Sequence, residues 1–113
     1  MLQIQCVKIR IIDGKSERVR AWVASLGTRQ EEVRAALAAE GIADEAVFFA
    51  SERAGDFLYL YSRAPDLASA AAAFQSSSHA VDVEFRGIMA ECLEVATAAP
   101  LELLFAAENP GRS

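Results

Sequence analysis

One amphipathic segment, from about Lys15 to Glu40, limits the folds open to this chain more than any other feature. Val19, Val23, Leu26, Val33 and Leu37 share a narrow arc at about 100° per residue, with Trp22 and Ala36 on its shoulder. Glu17, Arg18, Arg20, Glu31, Glu32 and Glu40 lie mostly outside that arc. This is the stripe of a helix packed on one side, and Trp22 beside it reads as packing. Asp13-Gly14 supplies the turn before the helix, and Gly41 the residue that ends it. Gly27 interrupts the pattern, and Thr28-Arg29-Gln30-Glu31 has the spacing of a capping box, so two helices meeting at a kink are one outcome. The apolar phase carries through from Leu26 to Val33, and a single helix with a weak spot is the expectation.

Strand patterns flank this helix. In Gln3 to Ile11, Val7, Ile9 and Ile11 share one face, with Gln3 and Gln5 in phase before them; Ile4, Cys6, Lys8 and Arg10 share the other. Glu45 to Arg53, built on Val47-Phe48-Phe49, is a second strand and Phe57 to Ser62 a third. Ala54-Gly55-Asp56 between them is too short for a crossover, so the pair is an antiparallel hairpin. Phe57, Tyr59 and Tyr61 alternate with Leu58 and Leu60, which makes both faces of the third strand apolar or aromatic. A small antiparallel sheet normally buries one face and wets the other. Here the second face needs a cover, and a second subunit is the simplest one.

Pro65-Asp66 opens a short alanine-rich helix, Leu67 to Phe74, whose inner face is Leu67, Ala70, Ala71 and Phe74. Gln75-Ser76-Ser77-Ser78 breaks the pattern as a loop. Val81 to Ala96 reads as a further helix with the stripe Val81, Phe85, Ile88, Met89, Cys92 and Ala96, and Ser78 as its cap. Pro100 ends helical geometry, and Leu101 to Phe105 reads as a fourth strand. Residues 1–106 are thus expected to form one α+β domain, followed by a polar tail, 107–113, that frays. The order β-α-β-β-α-β is that of a ferredoxin-like sandwich, with both helical regions on one face of a four-stranded antiparallel sheet.

Composition narrows the function classes. An apolar fraction of 53% argues against disorder. No run of about 18 apolar residues is present to cross a membrane, and the start lacks the pattern of a signal peptide. A cytoplasmic location is the expectation, in which Cys6 and Cys92, far apart and at no metal-ligand spacing, stay reduced. The net charge of −5 and the absence of a basic, aromatic-interleaved cluster argue against nucleic acid as a partner. No phosphate-cradling glycine loop, nucleophile elbow or CxxC pair occurs, so no cofactor and no metal are read.

Three groups of residues carry possible chemistry. His79, the single histidine, stands at a loop-to-helix junction with Asp82 three residues on and Arg86 seven on. It reads first as a capping or surface histidine that bonds locally, and as a weaker candidate general base paired with Asp82. Asp82 to Arg86 is a helical i,i+4 pair, while Glu84 and Glu91 share a helix edge and read as solvated. Lys8, Arg10, Tyr59 and Tyr61 have parities that point them off the sheet face away from the helices. Cationic and phenolic groups over an apolar floor would suit a small acidic or aromatic ligand. The alternative is lysine and arginine at the rim with tyrosines packed across a dimer interface. Cys92, on a helix stripe, reads as a buried structural thiol.

Cys6-Val7-Lys8-Ile9-Arg10, Asp56 to Tyr61, Phe85 to Cys92 and Leu101-Glu102-Leu103-Leu104-Phe105 together resemble an uncharacterised bacterial family, domain of unknown function 6176. The resemblance covers nearly the whole chain. It implies the dimeric α+β barrel superfamily, in which two ferredoxin-like domains pack sheet to sheet. That superfamily includes cofactor-independent monooxygenases, haem-degrading enzymes, small isomerases and proteins with no known chemistry, so no catalytic residue carries over.

Two functions follow as expectations. The first is a homodimeric ligand-binding or structural domain joined through the open sheet face. The second is a cofactor-independent enzyme, monooxygenase- or isomerase-like, acting on a small aromatic or acidic metabolite, with His79 or Tyr59 near the reacting atoms. A cavity of roughly 300 Å³ or more with His79 or a tyrosine opening into it would favour the second.

Overall fold

The first strand lies inside the sheet, paired along both of its edges, with its Val7, Ile9 and Ile11 face toward the helices. In the computed structural model, which describes residues 2–111, the chain runs β1 (Gln3–Ile11), α1 (Ser16–Ser25), α2 (Gln30–Glu40), β2 (Asp44–Glu52), β3 (Gly55–Ala64), α3 (Leu67–Ser76), α4 (Ala80–Cys92) and β4 (Leu93–Pro100). The four strands form one sheet in the order β2-β3-β1-β4, and every pairing is antiparallel. The β2–β3 hairpin is present and closes over Glu52 and Gly55.

Register sorts the inner face into rows. Ile9 lies opposite Leu58, which lies opposite Phe49; Val7, Leu60 and Val47 form the next row. Gln5, Ser62 and Glu45 form the third. The dry core sits at the first of these, where Ile9, Ile11 and Leu58 meet Val19 of α1, Ile88 and Cys92 of α4, and Leu93. Moving along the strands toward Gln5, the floor turns polar, and there the helices stand off the sheet.

Two helices occupy the segment expected to be one. A 3₁₀ turn spans Leu26–Thr28, and Arg29 leaves helical geometry at φ −127° and ψ 34° before α2 begins. The hydroxyls of Ser25 and Thr28 donate back to the carbonyls of Trp22 and Ser25, at 2.5 and 2.9 Å, beside the flexible Gly27. Such local bonds compete with the helical ladder, and here they win. The capping box does not form, since Arg29 occupies the N-cap position and no side chain caps it.

The last third of the chain also departs from the sequence reading. α4 ends at Cys92, not Ala96, and the fourth strand is Leu93–Pro100, not Leu101–Phe105. Leu93 and Glu94 pair with Ile11 and Arg10, which completes the second edge of β1; a longer helix would leave that edge bare. A bulge between Lys8 and Arg10 interrupts the ladder, and Thr97 Oγ1 accepts from Arg10 N at 3.0 Å in its place. Pro100 is tolerated at the end of an edge strand. Beyond it, Leu101 N donates to Cys6 O at 2.8 Å and regular structure stops. Of the tail 107–113, the last two residues lie outside the described ones; Glu108 reaches Arg63 at 3.0 Å.

α4 holds the helical layer together. Trp22 stacks on Phe85 with centroids 5.3 Å apart, and its Nε1 donates to Glu84 at 2.8 Å. Arg29 donates to the same carboxylate at 2.7 and 3.0 Å. Glu91 faces Lys15 and Arg18 at 3.9 and 3.7 Å. Glu84 and Glu91, expected to be solvated, therefore tie α4 to its neighbours.

Candidate functional site

Helix α3 is built from small residues: Ala70 is buried and Ala71, though exposed, borders the space that larger side chains would close. What remains beneath α2, α3 and α4 is a cavity of about 310 Å³. Most of its wall is apolar, including Val7, Leu37, Leu60, Phe74 and Phe85. One end is different. Gln5, Ser62 and Glu45, the polar row of the sheet, meet Glu40 from α2 and Asp82 from α4 there.

Local structure explains how two carboxyls reach an apolar interior. Glu40 is the last residue of α2, and Gly41 at φ 74° turns the chain sharply toward β2. Asp82 stands in the first turn of α4, where its N–H bonds to His79 O and the exposed peptide N–H groups favour an acid. Glu40 is only 8% exposed and Asp82 7%. Among the described residues no N–H or hydroxyl group reaches Glu40 Oε2 or Asp82 Oδ2; what joins the two carboxyls is a proton held between them.

Burial pushes the Glu40 carboxyl up to about 8, reinforced by the adjacent Asp82 and Glu45 and opposed by Arg86. Glu45 is exposed as a whole residue, yet desolvation of its carboxyl, with Asp82 next, moves it upward as well. Near neutral pH the cluster therefore holds at least one proton. Arg86 does not pair with Asp82 as their spacing suggested. Its two terminal nitrogens donate to Phe74 O at 2.5 Å and Ser77 O at 2.8 Å, closing the end of α3.

The residues picked out from the sequence divide between this site and the opposite face. His79 is the N-cap residue of α4, in place of Ser78, and caps through its backbone alone; Ser77 Oγ accepts from its N–H at 3.1 Å. Its imidazole makes no hydrogen bond to Asp82 among the described residues, so the expected base–carboxylate pair is not assembled. Lys8 and Tyr59 do come together on the outer face, both bonded to Glu52, with Lys8 Nζ over the rings of Phe57 and Tyr59. Glu52 raises both the lysine and the phenol above their ordinary ranges. Arg10 is drawn away to Asp13 and Glu94. Tyr61 borders the cavity, but its register partners Cys6 and Ala46 belong to the outer face, and its hydroxyl turns to Asp44. Cys92 is fully buried and free.

Glu40 and Glu45 were missed, and the sequence contained a signal for them. Glu40 continues the spacing Val33, Ala36, Leu37, and Asp82 sits three residues before Phe85 and seven before Met89. Glu45 has the parity of Val47 and Phe49. Each is an acid in an apolar phase, which is where a buried carboxyl shows itself.

The outer face carries a different surface. Phe48 is 58% exposed, and Ile4, Cys6, Phe57, Tyr59 and Tyr61 are half-buried around it. Leu104 and Phe105 beyond β4 are 85% and 83% exposed. Among the described residues, no helix is long and apolar enough to cross a membrane, and no three His, Cys, Asp or Glu side chains cluster as metal ligands.

An α+β domain with helices over one face of an antiparallel sheet and a carboxyl-ended cavity between the layers is the class this geometry defines. The chain belongs to the family of unknown function DUF6176, whose family model matches residues 2–112. No curated protein matches it.

Proposed function

We propose that this protein is a small-molecule-binding domain whose ligand occupies the cavity between the sheet and α2, α3 and α4. The observation that carries the proposal is an apolar chamber of about 310 Å³ with two buried carboxyl oxygens at one end that no N–H or hydroxyl among the described residues satisfies. A core made for stability alone fills such a space and leaves no orphan acid. The strand order and the sequence of elements support a ferredoxin-like sandwich.

Two copies pair through the outer face, as a dimeric α+β barrel. Supporting this, the single chain exposes 7357 Å², against about 6,100 Å² for an ordinary monomer of this mass. Part of the excess is the extended segment after Pro100, and the aromatic outer face, with Phe48 58% exposed, contributes to it. The bacterial origin that the resemblance implies and a cytoplasmic location belong to the same proposal.

The test is a ¹H–¹⁵N NMR titration with a panel of single-ring and short aliphatic compounds. Shifts at Val33, Ala70 and Phe85, abolished by the cavity-filling Ala71→Phe, are expected. Shifts confined to Phe48 and Tyr59 would instead place binding at the outer Lys8–Tyr59 cluster and overturn the proposal.

One observation favours the enzyme reading: Glu40 keeps its proton to about pH 8, as a general acid or base near neutrality requires. On that reading Glu40→Gln abolishes turnover of a bound compound without abolishing its binding. Loss of neither would discard it.

A further inference from the structure

We infer that the cavity takes a small amine, with an apolar body of one ring or a short alkyl chain and its protonated nitrogen seated between Glu40 and Asp82. This rests on the cavity being a ligand chamber, as proposed above, and adds the chemistry of what fills it. Glu40 Oε2 and Asp82 Oδ2 are the observation it starts from: both residues are buried in the cavity wall, and among the described residues no N–H or hydroxyl reaches either oxygen. With no donor group of the chain at hand, the empty pair is satisfied by a proton alone, and a ligand that brings both donors and positive charge can take that proton's place.

The possible head groups meet this pair differently. A carboxylate or phosphate brings negative charge to a wall that already holds Glu40, Glu45 and Asp82. A wholly apolar molecule makes no bond to either oxygen. A hydroxyl has one proton to offer two acceptors. An ammonium has three donors and the complementary charge.

The protein itself does not supply that charge. No lysine or arginine lines the cavity among the described residues. Arg86 is the cation whose field reaches Glu40, and both of its terminal nitrogens are taken by the carbonyls of Phe74 and Ser77. The third ammonium donor has Glu45, Ser62 and Gln5 in the adjoining wall. In the same cavity wall Phe74 and Phe85, edge to face at 5.9 Å, offer ring surfaces to the apolar body.

The test is an NMR titration of the full chain near neutral pH with three probes of one shape: 2-phenylethylamine, 2-phenylethanol and 3-phenylpropionate. The amine should bind at least about tenfold more tightly than the alcohol, and the acid most weakly. In the isosteric double variant Glu40→Gln, Asp82→Asn, the amine should fall to the level of the alcohol or below. An alcohol as tight as the amine, an acid that binds best, or an amine preference that survives the double variant would each overturn the inference. In the first of these cases the chamber stands and the amine falls; binding of none of the three removes both. Should the double variant not fold, the amine-to-alcohol ratio in the wild-type protein decides.

Discussion

Replacing Glu40 by glutamine should stabilise this protein, and by an amount that grows with pH. In the folded chain the Glu40 carboxyl is pushed up to about 8 from its ordinary 4.5, first by burial and then by Asp82. A carboxyl raised in the folded state binds more protons folded than unfolded between those two values. Its contribution is therefore fully present below about pH 4.5 and is lost as pH rises through about 8. At about 1.4 kcal/mol per unit, the wild-type protein gives up on the order of 2.5 kcal/mol from this group between about pH 5.5 and pH 7.5. Glutamine keeps the shape and a fixed donor toward Asp82 but does not titrate. The groups that face this position, Asp82 and Arg86 on α4 and Glu45 on β2, are common to both proteins and largely cancel in the difference. Urea denaturation followed by Trp22 fluorescence, across that pH range, should show the two stabilities diverging in favour of Glu40→Gln and levelling above about pH 8. Parallel curves, or a variant less stable at every pH, would refute the buried, proton-holding Glu40.

Three further outcomes follow from the same geometry. Arg29, and after it Trp22, hold the Glu84 carboxylate down at about 2, so Glu84→Gln should be destabilised near neutrality, with the gap to wild type closing as pH falls toward about 2; acid titrations followed by circular dichroism would show this, and a constant gap would contradict it. Tyr59→Arg, placed on the outer sheet face, should weaken self-association in sedimentation velocity, and an unchanged mass would remove that face from the interface. His79→Ala should change stability by less than about 1 kcal/mol, since the residue caps α4 through its backbone; a much larger loss in urea denaturation would mean that the imidazole is a buried partner.

The elements that sequence alone placed well were those whose pattern matched a single period. β1 has the bounds its alternation implied, and α3 follows its Asp66 cap, whose side chain accepts from Ser69 N at 3.1 Å. Errors arose where a pattern was compatible with two structures. Cys92 and Ala96 continue a helical stripe, but the unpaired edge of β1 claims Leu93–Pro100, a tertiary demand that no local window contains. At Gly27 the apolar phase was right and the geometry wrong, because hydroxyl bonds within one turn decided the break.

The candidate site was half visible. Lys8 and Tyr59 were correctly placed on one face, yet Glu52, which binds both, was not anticipated, because hairpin register rather than spacing brings it there. Asp82 was singled out for the wrong partner. Among the described residues its carboxyl makes no bond to His79 and stands beside Glu40, from another helix. Distances between elements of this kind are a property of the assembled layers.

The central claim, an open chamber ending in Glu40 and Asp82, is tested most directly by a crystal structure of the untagged protein purified without added ligand. A void beneath α3 bounded by Leu37, Phe74 and Phe85 is expected, with density for a bound molecule or ordered water touching Glu40 Oε2 and Asp82 Oδ2. A collapsed interior, with α3 seated on the sheet, Phe74 filling the space and both carboxyls turned to solvent, would contradict it.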